Sequence, residues 1–503
     1  MSTGRQCKYR AESAYLPTRI RAPAVVSELG YSVAPASVRV DERDMHMFQL
    51  FRLQIVPQMS GLFDNNFWHT SCLQASNVYP AIWHAALAVT SMYKRLQIKA
   101  RTPAANQVRK ADYHSGLRQC NESIKYLTLI SQDGPTVAEQ ETMLLSCILL
   151  TGFFSLYGDP TTAIAHVNHG LKLIDEWQYW GQNMEKSLAR RNGCVVPTVQ
   201  LLTIFQRLET QSINSPFGTQ SFRDSPSFQG YVAPVTPFVC PTDAFVQLFP
   251  ILNGFLKLSL GRAPLWSSAS PVSLLAARIQ WGPKFEAWKK QFPALQQEVA
   301  FRSTFEGKDS FFEADVTRMI IMKVWEQLGL ALFYADVSKG ELCWDDFSPQ
   351  YERIISLSET AFGRISEALH QKVEGKVEHY FSFMSTLGEP LQWVARSCRV
   401  PHIRRDALRL LKLHPHRDGI YDSDFGVLLT EAKIKVEEAG MTARAPGCSC
   451  RVNEFVCLDH RVVHISMLSD GNGFAEFNMK TVYDEAIGTV GTIITLPWTS
   501  KLI

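Results

Sequence analysis

Apolar residues recur at three- and four-residue intervals over most of this chain, and strand-like texture shows only near its end. The run MHMFQLFRLQIVPQM places Met45, Phe48, Leu50, Phe51, Leu53 and Ile55 on one broad face, a helix that Pro57 should limit. Pro80 suits a first helical turn, and Ile82, Ala85, Ala86, Val89 and Tyr93 follow at helical spacing. A second stretch, about 106–130, carries Val108, Leu117, Cys120, Ile124 and Leu127. A third, about 136–156, ends at Gly158-Asp159-Pro160, a strong turn signal. A fourth, TTAIAHVNHGLKLIDEW, opens on a threonine cap and stacks Ile164, Val167, Leu171 and Ile174. Helices of this length joined by short turns predict antiparallel helical hairpins.

Residues 211–240 break the pattern with Ser, Pro and Gly and read as an exposed connector. Helical texture resumes near Asp243, at 281–292, 314–335, 351–374 and 404–413. After Gly447 it changes again: EFVCLDHRVVHISML and FAEFNMKTVY flank SDGNG, a hairpin signal. The expected fold is mostly α, an array of antiparallel helical hairpins with a small C-terminal β element. The expected division is a basic, largely disordered linker over 1–44, a helical body over 45–445 and a β-containing tail over 446–503.

Composition adds little to this except at the N-terminus. The chain has 503 residues, 46% of them hydrophobic, and a formal net charge of +3. Arg5, Lys8, Arg10, Arg19 and Arg21 stand against Glu12 alone in the first 22 residues, so the rest of the chain is close to neutral. Arg5, Lys8 and Arg10 are the candidate contacts to a DNA backbone. The eleven cysteines lie mostly singly in apolar stretches and read as reduced, buried thiols. The apolar run Met143–Tyr157 is short for a bilayer span and reads as a core helix, so no membrane partner is expected.

Candidate chemistry is sparse. Cys448, Cys450, Cys457, His460 and His464 are all metal-ligand types within one short stretch. On a helix, His460 and His464 would lie about 6 Å apart; on the strand that the valines suggest, they would lie roughly 13 Å apart. Two ligands of one zinc must lie within about 4 Å of each other, so no metal site is expected here. His166 and His169 share a helix face with no acidic partner on the next turn, and SDGNG lacks the fifth-position oxygen of a calcium loop. Nucleophile-elbow, phosphate-loop, zincin and dinucleotide motifs are all missing, so no catalytic residue and no cofactor are predicted, and the chain is not expected to be an enzyme. Trp68, Trp83 and Trp177 read as core packing.

Four stretches together resemble the fungal-specific transcription factor domain of the zinc-cluster regulators. FDNNFWHTSCLQASNVYPAIWHAALAV supplies Phe67-Trp68, Leu73-Gln74, Pro80-Ala81 and His84-Ala85. CILLTGFFSLYGDPTTAIAHVNHGLKLIDEW supplies a cysteine-bearing apolar helix, a Gly turn, and Ala163, His166 and Gly170. LLTIFQRLETQ supplies Phe205, Arg207, Leu208, Glu209 and Gln211. SCRVPHIRRDALRLLKLHPHRDGIYDS supplies Cys398, Arg404, Arg405, Ala407, Leu410, Leu411, Arg417, Gly419 and Asp422. Read as residues alone, Arg404, Arg405 and Arg417 are expected to pair with Asp406, Asp418 and Asp422 on helix flanks.

The resemblance implies a regulatory helical body, a nuclear location, and partners among DNA, the transcription machinery, co-regulators and a second copy of the chain. A helical interaction scaffold with no direct DNA role is the alternative. The family normally begins with a six-cysteine binuclear zinc cluster. Cys7 is the only cysteine before Cys72, so that module is expected to be absent from this chain, and Ser2-Thr3-Gly4-Arg5-Gln6-Cys7 resembles the segment that follows it.

Overall fold

The computed structural model describes residues 34–497, apart from 64–65, 99–101, 131–133, 180–192, 218–236, 261–269, 306–309, 373–379, 384–386, 443–447, 452–453 and 472. The described residues are mostly α-helical and carry two small sheets, one near the C-terminus as expected and one that the sequence did not announce.

The first half is a stack of hairpins. Helix α1 (Glu42–Leu50) runs through a wide π turn, Phe51–Ile55, into α2 (Val56–Met59). Pro57 was expected to end this helix. Instead the chain widens before the proline, which then sits in the first turn of α2, where its missing N–H costs nothing. A second π turn, Phe67–Cys72, leads through α3 (Leu73–Val78) to α4 (Pro80–Gln97). Helix α4 is buried nearly all round, and its alanines let α5 (Pro103–Thr128) and α6 (Val137–Tyr157) close on it. Gly116 of α5 lies close against α4, where a Cβ would strike the Met92 methyl. Thr136 and Glu139 form a capping box at the start of α6, and Gly158, at φ 92°, ends it. Helix α7 (Pro160–Glu176) is capped by Asp159, whose Oδ1 accepts from Thr162 N at 3.0 Å. The threonine cap expected there is displaced because Pro160 takes the first helical position and leaves the preceding carboxylate as cap. Helix α8 (Thr198–Asn214) completes this part.

The second half holds α9 (Pro241–Leu260), α10 (Pro271–Phe305), α11 (Ser310–Tyr334), a 3-10 segment Val337–Phe347 and α12 (Ser348–Lys372). Only 281–292 of α10 was expected, yet the helix continues through Pro283 and Pro293. Its buried stripe Leu274, Ala277, Trp281, Phe285, Trp288, Phe292, Leu295 and Val299 is unbroken across both prolines. Each large side chain buried contributes about 1.5–3 kcal/mol, so the stripe outweighs about 3 kcal/mol per proline.

A three-stranded sheet, β1 (Tyr380–Ser382), β2 (His416–Asp418) and β3 (Tyr421–Asp422), encloses α13 (Gly388–Ser397) and α14 (Pro401–Leu413) in sequence. Helix α15 (Ser423–Thr442) then leads to a C-terminal antiparallel sheet of β4 (Val462–Gly471), β5 (Phe474–Thr481) and β6 (Thr492–Pro497). The SDGNG stretch joins β4 to β5, as expected.

Two hydrophobic cores result. One gathers α1–α8, Phe381, Phe383 and the C-terminal sheet; the other gathers α9–α14. Helix α15 belongs to both: Phe425, Leu429 and Ala432 face the first core, Val427 and Ile434 the second. From the C-terminal sheet, Val462, Ile465, Ala475, Phe477, Met479 and Leu496 lie in the first core. Ala34 is buried in that core too, and Val38 and Val40 pack on it. Of the expected connector, residues 211–213 are buried because α8 continues to Asn214, Ser215 and Phe217 are buried just beyond it, and 218–236 lie outside the described residues.

Candidate functional site

Stretches far apart in sequence converge on one seam between the cores. Gly170 of α7 faces Phe205 of α8 so closely that a Cβ would enter the ring. Gln211, at the end of α8, accepts from Ile420 N at 3.2 Å, and Gly419 beside it, at φ 57°, lies against the same side chain. Arg417 Nη1 donates to the Ser155 carbonyl at 2.8 Å, at the C-terminal end of α6. These contacts leave a cleft whose polar end is lined by Ser155, Gln211, Asn214, Glu389, Arg417 and Tyr421. It continues into an apolar end lined by Phe249, Leu252, Leu256, Trp325, Leu328 and Leu332. Asn214, Glu389 and Tyr421 line both ends.

The electrostatics of the cleft are subdued. Arg417 is held by Asp422 at 2.9 Å. Burial pushes the Tyr421 phenol well above its ordinary range, so it stays a neutral donor, and it gives its proton to Gln392 Oε1 at 3.1 Å. Neither end is lined by His, Cys or Lys. The lining sets a few polar side chains beside a largely apolar wall.

A second polar region closes the other side of α15. Glu437 is fully buried and accepts from Arg404 at 2.8 Å, from Arg399 at 3.1 Å, from Lys433, and from Val462 N at 3.1 Å. Arg399 also reaches Glu341 at 3.0 Å. Burial alone would raise the Glu437 pKa, but Lys433, Arg399 and Arg404 hold it well below the carboxylate range. Lys433 is pushed down to about 7, first by burial and then by Arg399. With three cations around two carboxylates, the amine is the group that can give up its charge.

The sequence-derived candidates fare unevenly. Arg5, Lys8 and Arg10 lie outside the described residues. Arg417 pairs with Asp422 as expected, but Arg404 pairs with Glu437 and Arg405 with Glu438, at 2.7 Å. Helix α15 supplies both carboxylates, and no local spacing could reveal a partner some thirty positions away. Trp68 and Trp83 are fully buried, and Trp177 packs partly buried on the first core. His166 stacks on Phe154 at 5.2 Å, and burial lowers its pKa to about 4. Glu389, Asn214, Glu437 and Lys433 were not singled out; they sit in no motif, and only the meeting of distant helices gives them partners.

The expectation that the late cysteines and histidines would not converge needs correction. Cys448, Cys450, Cys457 and His460 present donor atoms that all lie within 4.8 Å of one another. His464 is not among them: it stands on β4 opposite Lys480. What brings the other four together is a knuckle of irregular chain before the strand, which alternation cannot describe.

The described residues form a mostly helical body with a cleft at the seam between its two cores. Comparison with known proteins makes this more particular. Residues 46–228 match the model of the fungal specific transcription factor domain. Over 224 residues the chain is 25% identical to the Aspercryptin biosynthesis cluster-specific transcription regulator atnN of Emericella nidulans, which covers 42% of this chain. The chain covers about a third of that relative's length, 34%. No solved structure matches.

Proposed function

We propose that this chain is a transcriptional regulator acting in the nucleus, with residues 34–497 forming its regulatory body. The observation that carries the reading is the match of residues 46–228 to a fungal specific transcription factor domain. The seam gives it a physical basis. Ser155, Gln211 and Arg417 come from three of the four family-like stretches, and all three line the same cleft between two cores. A small amphipathic effector or a partner side chain seated there would touch both cores at once. It would bias their relation by its differential affinity for the two arrangements. Co-regulators and DNA are the partners this role calls for, with sequence reading assigned to a zinc-cluster module of the kind the family carries.

The test is a reporter assay in a fungal host. The 503-residue chain, fused to a heterologous DNA-binding module, should change transcription of a reporter bearing that module's site. Chromatin immunoprecipitation of the tagged chain should find it at promoters. A fusion that folds, enters the nucleus and leaves the reporter unchanged would overturn the reading in favour of a scaffold without a DNA role.

A further inference from the structure

The knuckle before β4 carries a second chemistry, independent of the cleft. Its sequence is Cys448-Ser449-Cys450, six residues, Cys457, two residues, His460. His460 turns Nδ1 toward all three sulfurs, at 3.2 Å from Cys450, 3.4 Å from Cys457 and 3.6 Å from Cys448. A tetrahedral zinc with bonds of about 2.3 Å to sulfur and about 2.0 Å to nitrogen sets the nitrogen–sulfur edge near 3.5 Å. The observed edges bracket that value. Two backbone amides point at the sulfurs as well: Cys450 N donates to Cys448 Sγ at 3.4 Å, and Cys457 N to Cys450 Sγ at 3.1 Å.

We infer that Cys448, Cys450, Cys457 and His460 form a structural zinc site. Three thiolates and an imidazole in tetrahedral reach select zinc over harder, oxygen-seeking cations. Four protein ligands leave no open position, so the ion is a staple and not a catalyst.

The surroundings say what it staples. Arg461 follows His460 directly and is fully buried. It donates to the Val456 carbonyl at 3.1 Å and to both oxygens of Asp345, at 2.9 and 2.6 Å. Val462 N then binds Glu437. The knuckle is therefore clamped between the 3-10 segment of the second core and the first strand of the sheet that completes the first. A metal there fixes the strand's entry angle and holds the C-terminal sheet in place.

The experiment uses the full 503-residue chain, expressed in zinc-supplemented medium and purified under reducing conditions. Metal analysis should give one zinc per chain that survives dialysis. Cys450→Ser and Cys457→Ser should lose it, whereas His460→Cys should keep it, and Cys7→Ser should leave it unchanged. Cobalt added to the metal-free chain should give the visible bands of a tetrahedral thiolate site. Removing the metal with a chelator should raise amide exchange in 462–497 while α4–α6 stay protected. Failure to retain stoichiometric zinc by wild type and His460→Cys alike, with no tetrahedral cobalt spectrum, would overturn the inference. Stable copper or iron in its place would overturn the choice of metal, and a Cys448–Cys457 or Cys450–Cys457 disulfide that persists through purification under reducing conditions would overturn the site.

Discussion

Two polar regions flank α15, and they use the same side-chain types to opposite ends. At the cleft, the polar side chains leave space between the cores, and Arg417 and Asp422 neutralise each other. Around Glu437, three cations converge on one carboxylate that is wholly buried. The first arrangement leaves surface for a visitor; the second spends its charges on assembly. Buried ions on this scale are costly to desolvate and acceptable only when every partner is in place. The difference leaves the cleft as the seat for the proposed effector, while the cluster ties α13, α14, α15 and β4 together.

Substitutions can break that contrast. The largest effect is expected for Glu437→Gln, which keeps the shape and leaves three cations without their shared anion. It should lower stability by about 3–5 kcal/mol in denaturant unfolding. The folded pKa of Glu437 lies below its ordinary 4.5, so its contribution is complete above that pH and is lost as the pH falls below it. The variant should lose this part of the acid dependence. Its cost should also shrink above pH 7, where Lys433, at about 7, gives up its proton. A loss under 1 kcal/mol at pH 6 would mean that the cluster does not hold the helices.

A smaller effect is expected at the cleft wall. Gly419 has φ 57° and abuts Gln211, so Gly419→Ala meets both backbone strain and overpacking, about 1–3 kcal/mol. Thermal unfolding of this variant beside Gly471→Ala, where a Cβ would meet nothing, separates the two costs from ordinary loss of a glycine. Equal losses in both would remove the close approach from the account. The smallest effect is expected for Tyr421→Phe, which deletes one hydrogen bond to Gln392 and should cost about 1 kcal/mol. A loss as large as that of Glu437→Gln would place the cleft among the assembly contacts and end the contrast.

Much of this molecule was readable in the chain before its fold. The α4, α5, α6 and α7 helices follow the helical spacing of their apolar residues, and Pro80, Thr136 and Gly158 mark ends that local chemistry dictates. The β4–β5 hairpin is likewise local. Helix α10 was half read, because its prolines are visible in sequence and the core that overrides them is not. Of the cleft, Gln211, Arg417, Gly419 and Asp422 stood in family-like stretches, but nothing in sequence said that they face one another across a seam.

The amino-acid sequence by itself determined what depends on neighbours within a few positions: which segments are helices, where they cap and turn, and which faces are apolar. The tertiary structure alone decided which charge meets which. Glu437 finds Arg404 across 33 positions, and Arg461 finds Asp345 across 116. It also decided that one helix, α15, serves two cores, and that four metal-ligand side chains meet in a knuckle with no period of its own. Local periodicity is set by hydrogen bonds a few residues long. The pairing of buried polar groups is set by desolvation, which acts only once distant segments have closed around them.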